Sequence, residues 1–251
     1  MRIMNYQFEF RMDNWLSRTE LLLGTEKLEK LKASGVLVVG LGGVGAYAAE
    51  MICRAGVGRI TIVDGDTIHP TNRNRQLPAL TSTEGSPKAA IMGERLREIN
   101  PELDLTVIGE YIRDERMIEI LDRGYDYVVD AIDTLSPKIY LIYNSLQRGY
   151  RIVSSMGAGG KSDPLKIRIN DISETTDCPL ARMLRKRLHR LGIRNGVTAV
   201  YSPEAIDKSR VVPVTGERNK ASVVGTISYM PPAFGIACAS VVIRDLAGIS
   251  R

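Results

Sequence analysis

The chain has 251 residues, 44% of them hydrophobic and 25% charged, with a net charge of +5; these are ordinary proportions for a globular protein. Its three cysteines (Cys53, Cys178, Cys238) lie far apart with no C-x-x-C pair, which excludes a disulfide framework and a four-cysteine zinc site. Residues 181–194 hold six cations and no acid, so the +5 total less these six leaves −1 for the rest of the chain.

Residues 13–33 predict a helix with Gly24 as a break, and Val36–Val39 predict a buried strand. A glycine-rich turn follows, then a helix over 43–55. Gly40, Gly42 and Gly45 fit the G-x-G-x-x-G spacing, with Gly43 as an extra glycine inside it. Such a turn brings backbone close to a phosphate, which sits on the amides of the helix start. Arg59–Val63 predicts a second strand ending at Asp64, the place for an acid that holds ribose hydroxyls. Up to this point a nicotinamide enzyme and an ATP enzyme read alike.

The next segments separate them. Asn72-Arg73-Asn74-Arg75-Gln76 follows the second strand, and Lys88 opens a helix over 87–99 with Pro87 in its first turn. A dinucleotide pyrophosphate carries few charges, whereas splitting a triphosphate builds negative charge that arginine and lysine can clamp. Strands at Leu103–Ile108 and Tyr125–Val129 flank a helix near 114–122; Asp130 and Asp133 then stand where ligands bind in such sheets. A carboxylate there can hold Mg²⁺. A helix at 137–149 and a strand at 151–155 complete the alternation. The fold class is therefore α/β, a Rossmann-like, mostly parallel sheet with helices on both faces.

After residue 157 the rhythm changes, which divides the chain into a nucleotide-binding core at 1–160 and a C-terminal extension at 161–251. Ser155–Ser162 resembles a P-loop, but Asp163-Pro164 and an alternating Leu165–Asn170 strand follow it instead of a helix, so it is rejected as one. In the helix at 179–192, Leu180, Leu184, Leu188 and Leu191 recur at helical spacing as a core face. Arg182, Arg185, Lys186, Arg187 and Arg190 occupy the other faces, and six cations without an acid favour a phosphate-backbone partner over a merely solvated surface. An irregular, charged stretch covers 202–220. The uncharged run 221–243 is long enough to span a bilayer, yet Pro231-Pro232 interrupts it and serines dilute it. A buried strand and a core helix over 230–248 are expected, without membrane insertion. No signal-peptide-like run opens the sequence, and a reduced, cytoplasmic setting is expected.

Neither His69 nor His189 reads as a catalytic acid, and no tyrosine has a lysine four residues on, which weakens the redox reading. Cys178 precedes Pro179 at a helix start, where a dipole can activate a thiol; a buried cysteine is the commoner case.

Taken together, Gly40–Gly45, Asp64, Asp66, Asn72 to Gln76, Lys88 and Asp133 resemble the adenylating family related to the ubiquitin-activating enzymes, which also serves thiamine and molybdopterin synthesis. Ser17-Arg18-Thr19 matches the family's N-terminal arginine, which reaches the partner subunit's triphosphate. Asp130-Ala-Ile-Asp133 with Ser136-Pro137-Lys138, the Gly157–Gly160 loop, Pro179-Leu-Ala-Arg182 and Phe234-Gly235 are most similar to the branch acting on threonylcarbamoyladenosine in tRNA. The paired C-x-x-C zinc motifs of the thiamine and molybdopterin relatives are missing.

The resemblance implies ATP and Mg²⁺ as cofactors, with Gly40, Gly42, Gly43, Gly45, Asp64, Asp66, Asn72, Arg75, Gln76 and Lys88 at the nucleotide and Asp133 at the metal. It implies catalysis by Arg75, Lys88, Asp133 and, across a homodimer, Arg18, with the basic helix on tRNA. A sulfur-transfer protein stays open as a further partner. Three alternatives remain at this stage: an activator of a ubiquitin-like sulfur carrier using Cys178, a nicotinamide-dependent oxidoreductase, and an RNA-binding nucleotide module without turnover.

Overall fold

The apolar run Gly35–Val39 (β1) is buried along its whole length because it forms the centre of a seven-stranded sheet. The computed structural model describes residues 14–207, 209, 211–213 and 222–249. Parallel strands β2 (Arg59–Val63) and β3 (Asp104–Ile108) extend the sheet on one side of β1. On the other side lie β4 (Tyr127–Asp130), β5 (Arg151–Ser155), β7 (Thr198–Tyr201) and β6 (Arg168–Asp171), the last pairing antiparallel with β7. The order β3-β2-β1-β4-β5-β7-β6 reverses direction between β1 and β4. In an open α/β sheet that reversal leaves a crevice beyond the strands' carboxyl ends.

Alternate residues of β1 feed the two cores, as the period of two requires. Val36 and Val38 join a cluster that includes Leu31 of α2 (Thr25–Ala33), Ile52 of α3 (Gly45–Arg54) and Met92 of α4 (Lys88–Ile99). Leu37 and Val39 face Ile120 of α5 (Asp114–Leu121), Leu141 of α6 (Leu135–Gln147) and Leu184 of α7 (Pro179–Arg190). The expected layering therefore holds, and β6 and β7, from the region after 160, complete the same sheet as the core strands. Gly24, with φ +82°, separates α1 (Ser17–Leu23) from α2; residue 13, at the head of the expected helix, lies outside the described residues.

The C-terminal region corrects several readings. Leu165 lies 93% exposed in a 3-10 turn at Pro164–Lys166, so the strand begins only at Arg168. In the stretch read as irregular, β8 (Val211–Pro213) pairs antiparallel with β9 (Ser222–Val224). Residues 208, 210 and 214–220 of that stretch, and residue 221 of the uncharged run, lie outside the described residues. The strand expected to be buried is this β9, which among the described residues pairs with β8 alone and whose Val223 is exposed.

The two prolines do not break the next helix but start it, in the first turn of α8 (Met230–Ala247). This helix is long and apolar enough to cross a membrane by length and composition. It buries Met230, Phe234, Cys238 and Val242 in the first core cluster, as a core helix does.

Candidate active site

The glycine turn sits at the β1–β4 reversal and is built by close approach. Gly40 has φ +91°, and a Cβ there would stand 2.7 Å from the Ala131 carbonyl oxygen of the β4 loop. A Cβ on Gly45 would stand 1.7 Å from the Gly40 carbonyl oxygen, and one on Gly43 2.8 Å from Cβ of Pro231. Gly42 differs: the nearest atom to its Cβ position is Gln76 Nε2, at 3.8 Å. The turn is thus packed on three sides and open at Gly42, in front of the α3 N-terminus, whose first amides have no partner within the helix. Buried Gln76 faces that opening, and its Oε1 has no hydrogen-bond partner. A buried polar atom left so calls for a partner, which a ligand group or a water supplies.

On the β2 side, Asp64 accepts hydrogen bonds from the Leu41 amide (2.6 Å) and the Asp66 amide (2.8 Å). Burial pushes its carboxyl above the ordinary aspartate range, against the pull of the Lys88 charge and of these two amides. Asp64 therefore ties the glycine turn to the β2 loop, with lone pairs left over for a ribose hydroxyl. Lys88 is buried at the start of α4 and donates to Asp66 Oδ2 at 2.8 Å. Asp66 Oδ1 accepts from the Tyr111 hydroxyl. Tyr111 carries no signal in the sequence, since it follows β3 on a loop without a motif.

On the β4 side the two aspartates divide. Asp130 is fully buried against Lys138, Nζ to Oδ2 2.8 Å, and accepts from Ser154 Oγ at 2.7 Å and the Ile132 amide at 3.1 Å. It shapes the loop and is unavailable to a metal. Asp133 is exposed beyond that loop, and its charge acts on Arg75, whose pKa is lowered by burial. The Arg75 guanidinium donates to the Thr71 carbonyl and to Asn74 Oδ1, both at 2.9 Å. Buried Asn72 spends its Oδ1 on the His69 amide, so it shapes the 3-10 turn Pro70–Asn72 beneath Arg75. Arg73 is tied to Pro70 and Thr81 on the surface.

Among the described residues no cluster of three His, Cys, Asp or Glu side chains is placed to hold a metal. Asp133, exposed at the β4 loop, is a single carboxylate of the kind that Mg²⁺ can take beside nucleotide phosphates and water.

The C-terminal segment walls the crevice. Asn74 Nδ2 donates to the Thr226 carbonyl at 3.0 Å, and the Gly160 amide to the Gly225 carbonyl at 2.8 Å. The run resembling a P-loop binds an anion of its own: the Ser162 and Asp163 amides donate to the Glu204 carboxylate at 3.2 and 3.1 Å. Burial pushes Glu204 up, but these bonds outweigh it and hold the carboxyl below its ordinary value. An internal carboxylate occupies the nest where a P-loop would take phosphate.

Other expected residues lie elsewhere. Arg18 is exposed on α1, whose neighbour Leu16 packs against Gly56 beyond the C-terminus of α3. That is the far end of the helix from the glycine turn, so within one chain Arg18 does not join Arg75 and Lys88. On α7, Arg182, Lys186, Arg187 and Arg190 are exposed. Arg185 is not a free cation: Nη1 donates to the Thr175 carbonyl (2.8 Å), Thr175 Oγ1 and the Ile172 carbonyl (3.3 Å), pinning the turn before the helix. Leu191 is 42% exposed past the helix end, and Ala181 takes the core place expected of it.

All three thiols are buried. Burial pushes Cys53 up to about 11 and Cys238 up to about 12. His69 and His189 are exposed, as expected.

Known proteins resemble this chain in sequence and fold. A model of the ThiF family matches residues 16–251. The tRNA threonylcarbamoyladenosine dehydratase of Bacillus subtilis is 46% identical over 189 residues, covering 75% of this chain and 74% of that one. The crystal structure of Escherichia coli tRNA N6-threonylcarbamoyladenosine dehydratase, TcdA, in complex with ATP superposes with a TM-score of 0.84 at 34% identity, covering 93% of each chain. A sulfur carrier protein adenylyltransferase of Thermus thermophilus is 38% identical, but over only 48% of this chain.

Proposed function

The chain belongs to the ThiF family, and from that premise we propose that it is an ATP-dependent tRNA threonylcarbamoyladenosine dehydratase. The carrying observation is the glycine turn left open at Gly42 beside the unpartnered Gln76 Oε1, tied through Asp64 and Asp66 to buried Lys88, with the Asp133 charge acting on Arg75. That set suits a triphosphate that is split.

In this reading the threonyl carboxylate of the modified adenosine next to the anticodon attacks the α-phosphorus of ATP and pyrophosphate leaves. The neighbouring carbamoyl group then attacks the acyl carbon, AMP departs, and a five-membered ring closes with net loss of water. The second step is intramolecular, so it asks for orientation rather than a strong nucleophile. Asp64 holds the ribose, the α3 amides and Lys88 hold phosphates, and Arg75 meets the charge that builds as pyrophosphate leaves. Asp133 is the carboxylate that would hold Mg²⁺, which when bound neutralises phosphate charge. The reaction takes place in the cytoplasm, where the RNA substrate is.

The coverage by sulfur-carrier relatives stops at about half the chain, and a buried Cys178 is not presented to accept an acyl group. A sulfur-transfer protein would therefore be an accessory partner at most. The deciding experiment incubates tRNA carrying threonylcarbamoyladenosine with protein and ATP, then analyses its nucleosides by mass spectrometry. Loss of one water from the modified nucleoside, with AMP and pyrophosphate formed, is expected. An unchanged nucleoside would sink the reading.

The exposed cations of α7 are the surface on which the tRNA backbone lies. The double reversal Lys186→Glu and Arg187→Glu is expected to weaken tRNA binding and to lower the log–log salt slope by about 1.5, roughly 0.7–0.9 for each phosphate no longer neutralised. Fluorescence anisotropy at several salt concentrations measures this. A slope equal to the parent protein's would make these residues an ordinary solvated face.

Arg18, remote from its own site, serves the site of a second copy in a homodimer. Mixing inactive Arg18→Ala and Lys88→Ala proteins is then expected to restore product formation, since half the sites of a mixed dimer carry neither defect. No recovery on mixing would place Arg18 outside the reaction.

A further inference from the structure

On the outer face of the helical layer made by α5, α6 and α7 lies a half-open groove of about 320 Å³. Ile118, Tyr140, Tyr143 and Leu191 line it, with Asp114 and Asn144 as its polar edge. Tyr140 is 57% exposed, Leu191 42% and Ile118 39%. Two tyrosines and two aliphatic side chains thus surround one exposed depression. We propose that this groove stacks an unpaired nucleobase of the RNA substrate, next to the nucleotide that reacts; the proposal rests on the tRNA reading above.

Three observations select a base over other occupants. The first is shape and chemistry: an aromatic wall beside fixed polar groups is how proteins hold single-stranded bases, through stacking and contacts to base edges. Asn144 donates its Nδ2 to the Tyr140 carbonyl at 2.9 Å, which turns the amide's oxygen into the acceptor it has to offer. Asp114 adds a second acceptor, so a base presenting an exocyclic amine is favoured.

The second is charge. Arg187 is exposed on α7, four residues before Leu191, which follows the helix as its C-cap. A phosphate attached to a base in the groove meets that acid-free helix. On the opposite wall the Asp114 carboxylate, at the head of α5, repels a backbone, so the strand leaves across α7.

The third is position. The first residue of α6, Leu135, follows Asp133 by two, and Tyr140 is five residues further, about 8 Å along the helix. A nucleotide adjoining the one at Asp133 can reach it.

The test uses a hairpin RNA bearing the modified adenosine, with 2-aminopurine replacing each neighbouring loop base in turn. At one position the fluorophore should be quenched on binding the parent protein. Tyr140→Leu should abolish that quenching and raise KM for the hairpin about tenfold, with kcat at saturating RNA unchanged. Tyr140→Phe, which keeps the ring, should behave as the parent does. Equal quenching and KM in Tyr140→Leu would overturn the proposal. So would a change of oligomeric state in that variant by sedimentation, which would mean that a second copy covers the groove. Failure of the tRNA reading itself would look different: the parent protein would leave the hairpin's modified nucleoside unconverted.

Discussion

Replacing Lys88 with alanine is expected to lower kcat for ring closure by about 10²–10³, the usual cost of removing one preorganised group that stabilises developing charge. The side chain is buried, so its ammonium is desolvated and strong. One of its three donors is spent on Asp66 Oδ2, which leaves two for phosphate oxygens. Its charge also opposes the burial that pushes Asp64 up, so the alanine variant should bind ATP more weakly as Asp64 protonates more readily.

A purely structural Lys88 makes a different forecast. If its task were to pair with Asp66, then Asp66→Asn would damage turnover as much as Lys88→Ala does. In the phosphate-clamp reading Asp66→Asn frees the lysine and costs far less. ATP–pyrophosphate exchange and single-turnover product formation on both variants separate the two. Activity of Lys88→Ala within a few-fold of the parent would remove this residue from the site.

The nucleotide crevice is legible because its signals are local. A short, valine-rich apolar run ended by glycine, Val36–Val39, reads as a strand buried on both faces, and the glycine spacing after it follows from backbone approach at Gly40 and Gly45. What stays hidden depends on partners remote in the chain. Asp130 and Asp133 read alike at the end of one strand; Lys138, a turn into the next helix, makes one a buried anchor and leaves the other exposed. Arg185 reads like its neighbours in a cationic run, yet two carbonyls ten and thirteen residues earlier claim it. The loop resembling a P-loop lacks the helix such a loop needs, but the group filling its nest, Glu204, lies 41 residues from Asp163. Strands of three residues, such as β8 and β9, are too short for alternation to show.

The second large effect lies at the buried Asp130–Lys138 anchor. Lys138→Met is expected to destabilise the protein by about 3–5 kcal/mol, because it leaves a fully buried carboxylate without its countercharge. Against a typical total of about 5–15 kcal/mol this is a large share. The remaining bonds from Ser154 and the Ile132 amide do not supply a charge.

Pairing the change with Asp130→Asn should recover much of the loss, since an uncharged pair carries no stranded charge. Function adds an independent readout. Lys138 Nζ also donates to the Ile132 carbonyl at 2.9 Å, and Ala131 packs against Gly40, so the pair holds Asp133 and the glycine turn in one geometry. The double variant should then fold with near-parent stability yet turn over more slowly, with its ATP affinity reduced. Urea unfolding and pyrophosphate exchange on both variants measure this. A single variant losing less than about 1 kcal/mol, or a double variant no more stable than the single, would show that Asp130 does not depend on Lys138.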